Sequence, residues 1–129
     1  MGLTLAQQLT SAPATTVGLN AISQFEQDIQ TVVNPTLGQV INDTGALAAG
    51  TYFVTITFNC SVQASINIQH RNAANAATLG ALHLVCGSTG AGLTLSYFIT
   101  LAANERIRAI SPNAVTGTWA SALLVVRSS

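Results

Sequence analysis

Lysine is absent from this chain, and charge of either sign is scarce. Four arginines and four acids (Glu26, Asp28, Asp43 and Glu105) make up 6% of 129 residues and cancel to no net charge. An ordinary soluble domain carries about 25% charged residues. A protein that works alone in solution relies on mixed, unbalanced surface charge to stay dispersed. The shortage therefore points to a surface covered by other protein, that is, to a subunit of an assembly. Four scattered arginines also make no basic stripe, which argues against nucleic acid as a partner. Catalysis needs ionisable groups that converge. With two histidines and four acids, and no Ser/His/Asp or Cys/His arrangement in the order of residues, the chain reads as no enzyme, with no cofactor to hold.

Other absences narrow the class further. No apolar run approaches the ~18 residues of a membrane-spanning helix, so no membrane is expected as a partner. Met1-Gly2-Leu3-Thr4-Leu5 lacks the basic start of an export signal, and Ala6 stands where a myristoylation signal has Ser or Thr. The two cysteines, Cys60 and Cys86, are then reduced thiols by default, although both fall at strand ends where a bridge is geometrically open. Asn42-Asp43-Thr44 and Asn59-Cys60-Ser61 match the glycosylation pattern by chance on the same reasoning.

What is present is alternation. Tyr52, Val54, Ile56 and Phe58 point one way and Thr51, Thr55, Thr57 and Asn59 the other, with Phe53 as the exception. Val62, Ala64, Ile66 and Ile68 alternate with Gln63, Ser65, Asn67 and Gln69, and Leu93, Leu95, Tyr97, Ile99 and Leu101 with Thr94, Ser96 and Thr100. Period two marks strands with one wet face. Further strands are predicted at Gln39 to Asn42, Leu79 to Cys86, Glu105 to Ser111 and Trp119 to Arg127. The Leu123-Leu124-Val125-Val126 run of the last suggests burial on both faces. Gly, Asn and Pro between the runs supply the turns. Ala21 to Val33 is two-sided: Ile22, Phe25, Ile29 and Val32 with a Ser23/Glu26 capping box fit a helix, while Phe25, Ile29 and Val33 fit a strand face. An eighth strand would complete a jelly roll. The fold class is therefore all-β, an antiparallel jelly-roll β-sandwich over residues 21–129. Residues 1–20 form an extended N-terminal arm in which Leu3, Leu5 and Leu9 stand among polar residues and need a partner surface.

Few residues offer chemistry. His70 and His83 lack the spacing of a metal site, and ordinary hydrogen-bonding side chains are expected. Gly87 to Gly92 has neither the lysine nor the following helix of a phosphate loop, so it reads as a turn. Glu105, Arg106 and Arg108 form the one charge cluster, with both arginines on one strand face opposite Ile107. They fit either a solvated edge or a salt-bridge patch at a subunit contact. Trp119 fits the core or an interface, or a ring that stacks on a sugar.

Leu47-Ala48-Ala49-Gly50-Thr51-Tyr52-Phe53-Val54 resembles the L-x-A-G-x-Y-x-V start of a strand in phage structural jelly rolls, and is similar to the tumour-necrosis-factor-like and C1q-like trimers. Leu101-Ala102-Ala103-Asn104-Glu105-Arg106-Ile107 resembles a second signature, L-x-x-G-D-x-V, with Asn104 and Glu105 in place of Gly and Asp. Gly117 to Leu123 looks like the closing strand of the same group. Within it, a small lysine-free domain with an apolar arm looks most like a cement, or decoration, protein of a tailed-phage capsid. The resemblance implies a homo-oligomer, often a trimer, bound to the major capsid protein on the virion exterior and made in the host cytoplasm. Leu3, Leu5, Leu9, Arg106, Arg108 and Trp119 are the interface candidates. A receptor- or glycan-binding head domain of a tail fibre is the alternative.

Overall fold

The computed structural model describes residues 25–87 and 92–128; the arm with Leu3, Leu5 and Leu9 lies outside them. Eight strands follow one another: β1 (Phe25–Val33), β2 (Val40–Asp43), β3 (Gly50–Cys60), β4 (Ala64–Arg71), β5 (Thr78–Cys86), β6 (Gly92–Leu101), β7 (Arg106–Ile110) and β8 (Thr118–Arg127). The first pairs with the eighth, the second with the seventh, the third with the sixth and the fourth with the fifth, all antiparallel. This nested pairing is one long ribbon folded over on itself. Additional β3–β8 and β4–β7 pairing closes it into two sheets, β1-β8-β3-β6 and β2-β7-β4-β5. That is a jelly-roll β-sandwich, as the strand pattern predicts, and the two-sided segment before Val33 is strand from Phe25 onward.

Alternation decides which side chains meet between the sheets. Tyr52, Val54, Ile56 and Phe58 from β3, with Trp119, Leu123 and Val125 from the neighbouring β8, face Ile66 and Ile68 from β4 and Ile107 and Ala109 from β7; all are buried. Trp119 packs on Phe58 with ring centroids 4.3 Å apart at 48°, a tilted pair of the kind aromatic quadrupoles favour. Cys60 and Cys86 stand as buried thiols in this core.

The segments 47–54 and 101–107 hydrogen-bond to each other. Leu47 N donates to Glu105 O at 2.9 Å and Asn104 N to Leu47 O at 2.7 Å. Asn104 has φ of 69°, in the left-handed region that glycine enters freely and asparagine tolerates best among the rest. The departure from Gly at this position therefore keeps the backbone conformation that the turn requires.

A buried polar link joins the sheets at the β1–β2 end. Asn42, fully buried on β2, donates through Nδ2 to Asp28 O at 3.1 Å and Asp28 Oδ2 at 3.2 Å. Its Oδ1 accepts from the Ser121 hydroxyl on β8, and Asp28 Oδ2 also accepts from the Asp43 amide at 3.2 Å. Buried polar groups need such partners, and burial also removes Asn42 as a glycan acceptor.

Candidate functional site

The outer face of the β1-β8-β3-β6 sheet carries no charged side chain among the described residues. Register places Phe98, Phe53 and Val126 in one row across three strands, with Ser96, Thr55 and Leu124 in the next and Thr94, Thr57, Ala122 and Ile29 in the one after. Hydroxyl pairs tie β3 to β6 along this face: Thr51 to Thr100 at 3.1 Å, Thr55 to Ser96 at 3.0 Å and Thr57 to Thr94 at 3.4 Å. Phe53 and Phe98 meet at 5.0 Å with their planes 52° apart, and Phe98 remains 65% exposed. Ala120 and Ala122, small side chains between Ile29 and Thr57, leave a shallow depression of about 200 Å³.

β1 is turned against its own hydrophobic pattern. Ile29 and Val33 point outward on this face, each 66% exposed, while Glu26, Asp28, Gln30 and Val32 are half-buried on the inner side. Register alone decides this, because a one-residue slip along β8 would exchange the two faces. The Asp28 bonds to Asn42 and to the Asp43 amide, and Val32 against the core, hold it. β8 shows the same effect more mildly: Leu123 and Val125 are buried, but Leu124 and Val126 on the outer face are only half-buried. The run that reads as buried on both faces is covered within this chain on one.

The second sheet is different. Its outer face carries three of the chain's four arginines. Arg71 of β4 stands opposite Arg106 of β7, and Gln69 opposite Arg108, so Arg106 and Arg108 share one face with Ile107 turned inward. Arg106 Nη1 meets Asp43 Oδ2 at 3.3 Å. Arg108 is held below the usual guanidinium range, first by burial and then by Arg71 and Arg106, with Asp43 opposing. Glu105, at the start of β7, accepts from the Ala102 amide at 2.8 Å and lies 2.8 Å from His70 Nε2. These two contacts, the amide first, draw its carboxyl below the usual range. Sequence reasoning missed the His70–Glu105 pair because the contact spans 35 residues. His83 is exposed on the outer face of β5, opposite Asn67. Trp119, expected in the core or at an interface, is fully buried in the core.

Between the edge strands β5 and β6 the sheets part into an open cleft of about 310 Å³, lined by Ile68, Leu82, Tyr97 and Ile99 with His70 at one end. Burial pushes the Tyr97 hydroxyl up to about 12.

No protein-family model matches the chain, and no curated protein matches it. Solved structures do. The globular domain of the zebrafish complement 1qA protein is similar with a TM-score of 0.62 at 7% identity, over 81% of this chain and 97% of that one. A CBM4 domain is similar with a TM-score of 0.55 at 14% identity, over 83% of this chain and 77% of that one. At such identities the likeness is one of fold. The chain is a jelly-roll β-sandwich.

Proposed function

We propose that this protein is a non-catalytic structural subunit of a virion: a cement protein that sits on the outside of a tailed-phage capsid, associates with copies of itself and bridges neighbouring major capsid subunits. The observation that carries this reading is the orientation of β1, with Ile29 and Val33 turned out and Glu26, Asp28 and Gln30 turned in. A strand whose apolar side is outermost, on a sheet face without charge, matches a surface that other protein covers. The apolar row of Phe98, Phe53 and Val126 continues that surface across the sheet.

The mechanism is mechanical. The sandwich is a rigid block, and its neutral face of Ala, Thr and Ser lets a flat neighbour approach closely. The depression over Ala120 and Ala122 accepts a protruding side chain. Leu3, Leu5 and Leu9 of the arm plug grooves between capsid subunits, each fully buried leucine contributing up to roughly 1.5–3 kcal/mol before ordering costs. Repetition over three copies, the number the sequence resemblance implies, turns this into avidity. The protein is made in the host cytoplasm and ends on the capsid exterior.

The glycan-binding alternative finds less support. Trp119, the ring that would stack on a sugar, is in the core, and Phe53 and Phe98 are tilted at 52° and present no single flat platform. The test is stoichiometry in purified particles, together with the mass of the isolated chain at micromolar concentration. Hundreds of copies per head and a species heavier than the 13.3 kDa monomer are the expected results. A few copies that travel with tails would assign the chain to a tail fibre, and a monomer would reject the assembly reading.

A further inference from the structure

The outer face of the second sheet is built differently from a solvated edge. In a chain with four arginines, three fall on neighbouring register positions of β4 and β7. They do not play the same part. Arg71 is consumed internally: Nε donates to Asn75 Oδ1 at 3.0 Å, Nη1 to Thr78 Oγ1 at 2.7 Å and Nη2 to Asn75 O at 2.7 Å. It fixes the loop between β4 and β5. Arg108 is held at one atom only. Its Nε donates to Oε1 of the buried Gln69 at 2.7 Å, and among the described residues Nη1 and Nη2 have no acceptor. Arg106 meets its one acid, Asp43, at 3.3 and 3.4 Å through Nη1 alone.

An arginine anchored by Nε, with both terminal nitrogens free, is a preset fork. The end-on edge of a guanidinium matches the two oxygens of a carboxylate. Holding the side chain beforehand removes part of the ordering cost of binding. We propose that this face recognises carboxylate groups of an acidic protein partner, with Arg108 taking one carboxylate end-on through Nη1 and Nη2 and Arg106 placing a second cation beside it.

Charge complementarity selects the partner. A second copy of this chain fits poorly, because its described acids are engaged: Asp28 with Asn42 and Gln30, Asp43 with Arg106, Glu105 with His70 and the Ala102 amide. Only Glu26 is left to offer. A nucleic-acid backbone fits poorly too, since a phosphate track needs a run of cations. Here the arginines are flanked by Ile110 and by the exposed Val40 on β2. Arginine beside apolar side chains is the composition of a protein–protein contact. Placing an anion here also relieves the mutual repulsion of Arg71, Arg106 and Arg108, which stand on neighbouring register positions.

The inference rests on the reading that the protein works by binding other proteins, but its test uses the isolated chain and does not depend on capsid attachment. Hexaglutamate peptide is titrated into the purified protein, followed by backbone amide shifts and calorimetry, with inorganic phosphate and a short DNA duplex as parallel arms. Hexaglutamate binding is expected, with shifts confined to β4, β7 and Val40–Asp43 and an affinity that falls with added salt. Arg108→Gln should weaken binding by roughly tenfold or more, the worth of a charge-assisted hydrogen bond. Arg108→Lys, which keeps the charge and loses the fork, should fall between. Thermal melts check that both variants stay folded. Hexaglutamate that fails to bind, binds Arg108→Gln as well as the native chain, or shifts residues elsewhere overturns the proposal. Tighter binding of phosphate or duplex than of hexaglutamate overturns the carboxylate assignment.

Discussion

Replacing Ile29 and Val33 together with threonine separates folding from assembly. Both side chains are 66% exposed in the single chain, and threonine keeps the β-branched shape that a strand prefers. Stability of the isolated sandwich should therefore move by no more than about 0.5 kcal/mol, the usual range for surface substitutions. Association should respond far more. Fully burying a Val or Ile is worth roughly 1.5–3 kcal/mol, and about two thirds of each surface is still available in the monomer. Covering it therefore contributes about 1–2 kcal/mol per residue, or about 2–4 kcal/mol for the pair in each copy. The dissociation constant should rise by roughly 30- to 700-fold at 1.4 kcal/mol per decade. Sedimentation equilibrium across a concentration series reads this directly, and urea unfolding of the dilute protein reads the folding side. The native association constant should also hold between low and high salt, since the face carries no charge to screen. A double variant that associates like the native chain would refute the reasoning. A large loss of folding stability would do so differently, by showing that the apolar side of β1 packs within the chain.

Three further outcomes follow from single residues. Asn42→Ala removes both Nδ2 bonds and strands the Ser121 hydroxyl; a loss of about 2–4 kcal/mol in urea unfolding is expected from the broken bonds and the orphaned group, and Asn42→Asp should be worse because its carboxylate faces Asp28. At Asn104, with φ of 69°, glycine should be neutral within a few tenths of a kcal/mol, whereas Asn104→Val should cost about 1–2 kcal/mol, both read from chemical denaturation. Burial raises Tyr97 from 10.0 to about 12 and raises Tyr52 above 10.0. A raised folded value means that the unfolded chain loses its protons first, so stability present below pH 10 should be lost as pH climbs towards 12. Absorbance titration of tyrosinate checks this, and ionisation of both rings near 10 would contradict the burial.

Much of the architecture is legible in the sequence because alternation is a local signal. β3, β4 and β6 follow directly from runs such as Val54-Thr55-Ile56-Thr57, and the hydrophobic side of each is the side the core receives; β8 is legible as a strand, but its unbroken apolar run does not say which face the core takes. β1 is where the local signal fails. Its apolar positions, Ile29 and Val33, mark a strand face correctly, but the direction of that face is set by Asp28 reaching Asn42 fourteen residues away, which no local pattern encodes. The arginine face was half visible. Arg106 and Arg108 share a side by parity alone, but Arg71 joins them only through the β4–β7 register. The freedom of the Arg108 terminal nitrogens depends on Gln69, a contact across 39 residues. Trp119 could not be placed from its own neighbours, since a lone aromatic at a strand start suits a core and a surface equally. The Asn104 substitution looked like a departure from the signature and is a conformational equivalent.

The four arginines have a consequence for how the chain meets proteases. Trypsin cleaves after lysine or arginine, and this chain offers only Arg71, Arg106, Arg108 and Arg127. Every one lies within a paired strand. A protease must draw a stretch of backbone into its own cleft as an extended, unpaired segment, which a laddered strand cannot supply without opening. Digestion of the native protein is therefore gated by unfolding of the sandwich, and the tryptic rate becomes a measure of how often it opens. The resistance of the folded chain to trypsin would then come from the placement of its cleavable bonds rather than from any shield laid over them.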